Sequence, residues 1–453
     1  MEEVKITNYH VQHTSAIGCD VHRDTIVCTA LQLSASGKWV ETTNTFSTNY
    51  AQLDSFSTWC HRFTPSVILM ESTGTYWMSA YDALEAAGLP INIVNPAHVK
   101  RMDGRKTDMQ DSRWLAQVGV NGSFIPSYIP TKEYRDLKGK YRNLVQQTES
   151  LQQYKNMETK YFTMAGFRLS IFSDQFGKLA MVAKAAILEG KSPEEVLAIV
   201  LKEQHFSGGR RLKATRKELL EAFHGNLTNY LKDAIESNRR IYTIIEEEVK
   251  KNTASLIDDV KKLDGEAFKL LQTIPGISQL SAAGILIEVG GSENLLRAFE
   301  NSGRFAAWIG LCPGNNNSAN KRTGRKGRKG NKYLRRIFCE AAQGASRTKN
   351  STLHSKYSSL TIRLGRKRSI VAIAHKLSKL VYYVLKHKTG YVDPAIDYEQ
   401  ISCKKNMPRW LKSMSKCTNE DELKQALRKM GILNDQQVLN PTDQQAPSSA
   451  ANA

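Results

Sequence analysis

Four acids stand out in the first quarter of this 453-residue chain because of what surrounds them. Asp20 ends the run AIGCD, Glu71 ends VILME, and Asp108 and Asp111 lie in KTDMQDSRWLA. The first two close apolar, β-rich runs, which places them at the ends of buried strands. The second two are one helical turn apart and share a helix face. Like charges so placed repel mildly, and a cation between them removes the repulsion. Carboxylates gathered this way suit hard divalent ions. Mg2+ takes oxygen ligands and keeps waters for a phosphate, and two such ions clamp the attacking and leaving oxygens of a phosphodiester. Asp20, Glu71, Asp108 and Asp111 are therefore expected to bind Mg2+ and to work on nucleic acid. An acid pair at a helix start is, taken alone, as readily an N-cap and a solvated first-turn acid. The two strand-end acids shift the balance to metal.

A second constellation is cationic. Lys321, Arg322, Arg325, Lys326, Arg328, Lys329, Lys332, Arg335 and Arg336 fill an interval that holds no acid, and Gly324, Gly327 and Gly330 recur at every third residue. Glycines at that spacing disfavour a helix and let backbone approach a ligand closely. Charge runs are commonly solvated tails or localisation signals. This one is internal and flanked by apolar helical segments, so contact with a phosphate backbone is the favoured reading. Arg363, Arg366, Lys367 and Arg368 extend the basic face, and the formal net charge of +20 suits a polyanionic partner. Just ahead of the run, in PGNNNSANK, stands Ser318. Neighbouring cations there would stabilise its alkoxide and bind a scissile phosphate. A loop serine more often bonds the backbone, so both roles stay open from the residues alone.

The elements that must position these groups follow from periodicity. Ala16–Asp20, Thr25–Leu33 and Trp39–Phe46 read as strands, Tyr50–Phe63 as a helix, Val67–Glu71 as a short buried strand, Thr75–Ala87 as a helix, Ile91–Val94 as a strand and Asp108–Val120 as a helix. Three strands followed by strand–helix repeats give a mixed sheet flanked by helices, the order of a ribonuclease-H-like fold. Residues 132–264 are dense in charge and poor in glycine. Leu137, Tyr141, Leu144, Leu151 and Tyr154 form one helical stretch and Arg216–Leu263 a second. They are expected to form a hairpin or coiled coil with Ser207-Gly208-Gly209 in the turn region. Residues 265–390 form a further helical domain, in which LLQTIPGISQLSAAGILIEVG has the look of a helix-hairpin-helix with a tight turn at Pro275-Gly276. Residues 391–453 are an extension whose Gln-, Ser- and Ala-rich end is expected to be disordered. Residues 1–131 complete the division.

Seven cysteines without a C-x-x-C pair disfavour zinc and disulfide frameworks and fit a reducing cytosol. The N-terminal segment lacks the basic flank and apolar core of a signal peptide, and no apolar run reaches the roughly 20 residues of a membrane span.

The ordered motifs AIGCDVHRDTIV, ESTGTYW, LEAAGLPINIVNPAHVKRMDGRKTDMQDSRWLA, TIPGIS, GLCPGNNNSANKRTGRKGRKGN and LRR resemble those of the DEDD-type transposases of bridge-RNA insertion sequences, over about Ile17 to Arg347. The resemblance implies a RuvC-like N-terminal domain whose acids map to Asp20, Glu71, Asp108 and Asp111 and bind Mg2+. It implies a helical transposase domain whose serine maps to Ser318 and links covalently to DNA. It further implies a structured guide RNA pairing with element and target DNA, and a homo-oligomer, a dimer or a tetramer in synapsis, that builds composite sites. The place would be the prokaryotic cytoplasm at the nucleoid. Ser112 stands where the family usually has alanine, and Asn320 where it often has glycine. A Holliday-junction-type metal-dependent endonuclease, needing the acids but no serine, is the alternative.

Overall fold

The computed structural model describes residues 2–3, 11–72, 74–96, 108–206, 212–312, 317–318, 321–322, 330–402, 404–405, 421–422 and 424–425. The chain divides into two units, Met1–Arg135 and Asp136–Ala453.

In the first unit the β-rich runs pair into one mixed sheet. Its strands are β1 (Glu2–Glu3), β2 (Ser15–Val21), β3 (Thr25–Leu33), β4 (Trp39–Ser47), β5 (Val67–Glu71) and β6 (Ile91–Val94), in the order β1-β4-β3-β2-β5-β6. β2, β3 and β4 form an antiparallel meander, and β5 and β6 run parallel to β2. Among the described residues three helices cover the sheet: α1 (Tyr50–His61), α2 (Trp77–Ala86) and α3 (Asp108–Val120). Side-chain alternation separates two cores. Ile17, Cys19, Ile68 and Met70 pack with Phe56 of α1 and Leu84 of α2. Ala16, Leu31 and Leu69 pack with Leu115 and Ala116 of α3. Burial on both faces explains why β2 and β5 read as continuous apolar runs rather than alternating ones. This is the ribonuclease-H-like arrangement expected from the element order.

The second unit is mostly helical. Its frame is an antiparallel pair of long helices, α4 (Lys132–Met164) and α8 (Asn229–Leu271). Contacts pair rising numbers with falling ones: Lys140 with Asp259 at 2.9 Å, Gln147 with Asn252 at 3.0 Å and Lys155 with Glu246 at 2.9 Å. Between them lie α5 (Lys178–Leu188), α6 (Pro193–Phe206) and α7 (Arg216–Ala222), which bury a core of their own around Phe162, Ala183, Val196 and Phe223. The second helical stretch is therefore not continuous. It breaks between Ala222 and Asn229, where Gly225 sits so close to Ala165 O that a Cβ would fall 2.7 Å from it. The expected turn residues 207–209 lie outside the described residues.

Asp264 interrupts α8 with φ −145° and ψ 51°. Its carboxylate accepts from Ser292 N at 2.7 Å and Ser292 Oγ at 3.1 Å. It thereby ties the kink to the start of α10 (Ser292–Ala298), which follows α9 (Gln279–Val289). Then come α11 (Ser302–Ile309), two-residue strands β7 (Asn317–Ser318) and β8 (Lys321–Arg322), and helices α12 (Lys332–Ala345), α13 (Thr352–Leu364) and α14 (Arg366–His387). The glycine of the IPGIS turn has φ +88°, and its Cβ position lies 2.1 Å from Ala341 O of α12. Packing against α12 therefore requires glycine at this position. The start of the C-terminal extension returns onto this unit: Tyr391 N donates to Thr273 Oγ1 at 2.7 Å, and Asp393 accepts from Thr352 N at 3.1 Å. Among the described residues no helix is long and apolar enough to cross a membrane.

Candidate active site

The sheet's central strand sets the acidic site. Asp20 lies one residue from the end of β2, and the parallel register Cys19↔Met70 puts Glu71 on the next rung of β5. Two residues before Asp20, on the same strand face, is Gly18. A Cβ there would fall 2.1 Å from Ser112 O, 2.3 Å from Ala116 N and 2.8 Å from Leu115 Cβ. Only glycine lets α3 lie this close to β2, and α3 carries Asp108 and Asp111 in its first turn.

Polar contacts hold α3 in register on the sheet. Ser112 is fully buried. Its Oγ donates to Met109 O at 3.1 Å, and so accepts from Thr29 Oγ1 at 2.8 Å. Thr29 Oγ1 in turn lies 3.2 Å from Thr43 Oγ1 on β4. Arg113 Nε donates to the buried Glu41 of β4 at 2.7 Å, with a second, shorter contact from Nη2. The serine that departs from the family's alanine is thus a helix-to-sheet strut.

The structure brings Asp20 and Asp108 together around a residue the sequence reading passed over. His22 Nε2 lies 3.2 Å from Asp20 Oδ2 and 3.3 Å from Asp108 Oδ1. One ligand atom from each of Asp20, His22 and Asp108 lies within 4.8 Å of the others. Glu71 and Asp111, both half-buried, do not join that tight group. His22 had a signal: it follows Asp20 by two residues, so an extended chain puts both on one face. Burial pushes the Asp20 carboxyl above its ordinary value; His22 opposes the rise, and the charges of Asp108 and Asp111 add to it. A carboxylate so crowded by like charges fits a divalent cation. Carboxylate oxygens and an imidazole nitrogen are both donors to divalent metals, and Asp20, Asp108 and His22 are the residues that would hold one.

Ser318 belongs to the second unit. It pairs with Lys321 across an antiparallel ladder in which Asn317 faces Arg322, with only residues 319 and 320 between the strands. Of the cations expected to bind nucleic acid, Arg325, Lys326, Arg328 and Lys329 lie outside the described residues. Lys321 and Arg322 are placed by backbone on β8. Lys332 and Arg336 line a groove of about 750 Å³ with Arg142 and Tyr333. Arg336 there donates to Glu149 and Glu340 at 2.7 and 2.9 Å. Arg335 turns inward and donates to Gly310 O at 3.2 Å.

Comparison with known proteins finds family models over both parts of the chain. A DEDD transposase model of the IS110 type matches residues 17–162, and a model described as transposase IS116/IS110/IS902 family matches residues 268–358. A probable family 20 transposase of Pseudomonas aeruginosa PAO1 is 22% identical over 334 residues, covering 72% of this chain and 86% of the relative. Thermus thermophilus RuvC, alone and in complex with Holliday junction substrate, aligns at 14% identity and a TM-score of 0.20, covering 25% of this chain and 99% of RuvC. The two family models bracket the acids at one end and Ser318 with its cations at the other, and the chain belongs to the IS110 family of transposases.

Proposed function

We propose that this transposase cuts and rejoins DNA strands by phosphodiester transesterification, with the DEDD acids as a Mg2+ site and Ser318 as the nucleophile. The observation that carries the reading is the convergence of Asp20, His22 and Asp108 at the end of the central strand, with Glu71 on the neighbouring rung. When bound, the cation supplies charge stabilisation to the phosphate oxygens. Asp20 and Asp108 hold it, and the Gly18 contact and the Ser112 and Arg113 struts keep α3 at the distance that their convergence needs.

Ser318 Oγ gives up its proton as it attacks the scissile phosphorus and forms a phosphodiester link to the protein; the bond to one strand end breaks, and that departing oxygen takes up a proton and leaves as a hydroxyl. Attack by a strand hydroxyl on that ester reverses the sequence, regenerates the serine and rejoins the DNA without an external energy source. Cations at Lys321, Arg322, Arg325, Lys326, Arg328, Lys329, Lys332 and Arg336 grip phosphates. A structured RNA pairs with the DNA and selects the site, its duplex held through the backbone rather than read base by base. Subunits of a homo-oligomer share acids and serine. The fit of an acid-free cationic interval beside Ser318 to a polyanion supports the nucleic-acid half of this reading.

Recombination of element ends by wild type, Asp20→Asn and Ser318→Ala tests it. Loss in both variants, with folding retained, supports the paired roles. Mg2+-dependent nicking insensitive to Ser318→Ala would instead support a metal-only endonuclease.

A further inference from the structure

The described backbone on the two sides of the Ser318 segment meets at one point. The segment begins after Ile309 with Gly310, which has φ +85°, and ends at Gly330. A Cβ on Gly330 would lie 2.5 Å from both Gly310 N and Ile309 C, so the two feet touch backbone to backbone. Asn331 N donates to Trp308 O at 3.3 Å, and Arg335 Nη1 to Gly310 O at 3.2 Å.

Asn331 uses both ends of its side-chain amide. Oδ1 accepts from Tyr333 N at 3.0 Å and Leu334 N at 3.1 Å, which starts α12. Nδ2 donates to Glu288 Oε2 of α9 at 2.7 Å. Glu288 is 0% exposed, with Lys138 Nζ and Arg142 Nε of α4 at 3.3 and 3.5 Å. An apolar residue would pack α9 at lower cost, because desolvating a carboxylate is expensive even when paired. A buried carboxylate that draws in two cations from one helix and the capping amide from another joins three elements at the base of one loop.

We propose that Glu288 and Asn331 clamp the feet of the Ser318 segment and act as positioning residues for the serine step; this rests on the reading of Ser318 as nucleophile. The clamp fixes the two ends from which the Ser318 segment is held. A misplacement of about 1 Å at a reacting group costs on the order of 100-fold in rate.

The test exploits the two ends of the amide. Asn331→Asp keeps a capping oxygen but loses the donor and sets a second carboxylate against Glu288. Asn331→Asp with Glu288→Gln restores one hydrogen bond in the opposite sense at unchanged total charge. Asn331→Ser, which caps but does not reach Glu288, serves if Asn331→Asp fails to fold. Strand cleavage, DNA affinity and hydrogen exchange over peptides spanning 302–345 are measured in the full chain.

The clamp predicts that Asn331→Asp slows cleavage about 100-fold at unchanged DNA affinity and speeds exchange around 308–334, and that the paired swap recovers both. Cleavage by Asn331→Asp at the wild-type rate, or no recovery in the swap, overturns it. Should Ser318→Ala cut like wild type, the serine reading fails on its own. Exchange still decides the clamp: protection lost in Asn331→Asp and regained in the swap upholds it, and unchanged protection refutes it.

Discussion

Gly18→Ala separates packing from chemistry most sharply, because it adds one methyl group and touches no acid. The new Cβ would stand 2.1 Å from Ser112 O and 2.3 Å from Ala116 N, both backbone atoms of α3 that no rotamer change can move away. Ordinary contact begins near 3.4 Å. The helix must therefore retreat by roughly 1 Å or tilt, and Asp108 and Asp111 travel with it. Overpacking of this kind costs about 1–3 kcal/mol, roughly 4 to 12 °C in melting temperature for a domain of this size. A displacement of about 1 Å at a reacting centre costs on the order of 100-fold in rate. Gly119→Ala, also on α3, is the control, since its Cβ would meet only side chains, at 3.1 Å from Ala16 Cβ and 3.3 Å from Val67 Cγ1. The assays are thermal unfolding, calorimetric titration with Mn2+ and strand cleavage. Gly18→Ala should lose cation affinity and cleavage far beyond its loss of stability, and Gly119→Ala should lose little of either. A Gly18→Ala protein with wild-type melting and Mn2+ binding would refute the claim that this contact sets the site.

Four further outcomes follow. Mg2+ or Mn2+ at about 100 times its Kd should stabilise the wild type by about 2.7 kcal/mol. Asp20→Asn should abolish that gain, while the cation-free variant melts no lower than wild type because a half-buried charge crowded by like charges is gone. Ser112→Ala should cost about 1 kcal/mol in denaturant unfolding and leave cleavage intact, since it removes only the bonds to Thr29 and Met109. Glu158→Gln should cost about 3 kcal/mol or more, since it strips the counter-charge from buried Lys184 at 3.1 Å and from Arg239 at 3.0 Å. Burial acts to raise the Glu158 carboxyl, yet Arg239 and Lys184 outweigh it and hold the group below its ordinary 4.5. The stability this contributes is full above pH 4.5 and is lost as pH falls through the lowered value, so unfolding curves measured through that acid range should steepen in wild type and flatten in Glu158→Gln.

Much of the first unit was legible because its signals are local. The strands Val67–Glu71 and Ile91–Val94 and the helix Asp108–Val120 run as their apolar patterns and turn residues indicate. What escaped depends on contacts far apart in sequence. Gly18 reads as an ordinary strand residue until α3 is laid against it. His22 sits beside Asp20 by strand spacing, but it meets Asp108 because a helix more than eighty residues later returns to the sheet. Gly276 reads as a turn residue, and its close approach to Ala341 O of α12 shows only in three dimensions. The break after Ala222 was hidden because residues on either side share helical apolar spacing, and the close approach of Gly225 to Ala165 shows only in three dimensions. Glu288 carries no signal in the sequence that marks it as buried. Its burial by Lys138, Arg142 and Asn331 could not be read from its neighbours.

The central claim is that Ser318 and the acids act in one reaction, and a covalent trap in cells carrying the whole element tests it most directly. Wild type, Ser318→Ala and Asp20→Asn are purified under denaturing conditions and any attached DNA is sequenced. The account predicts DNA on wild type at defined element and target junctions and none on either variant. Cleaved junctions without any protein-bound DNA, or an adduct that survives Ser318→Ala, would contradict it.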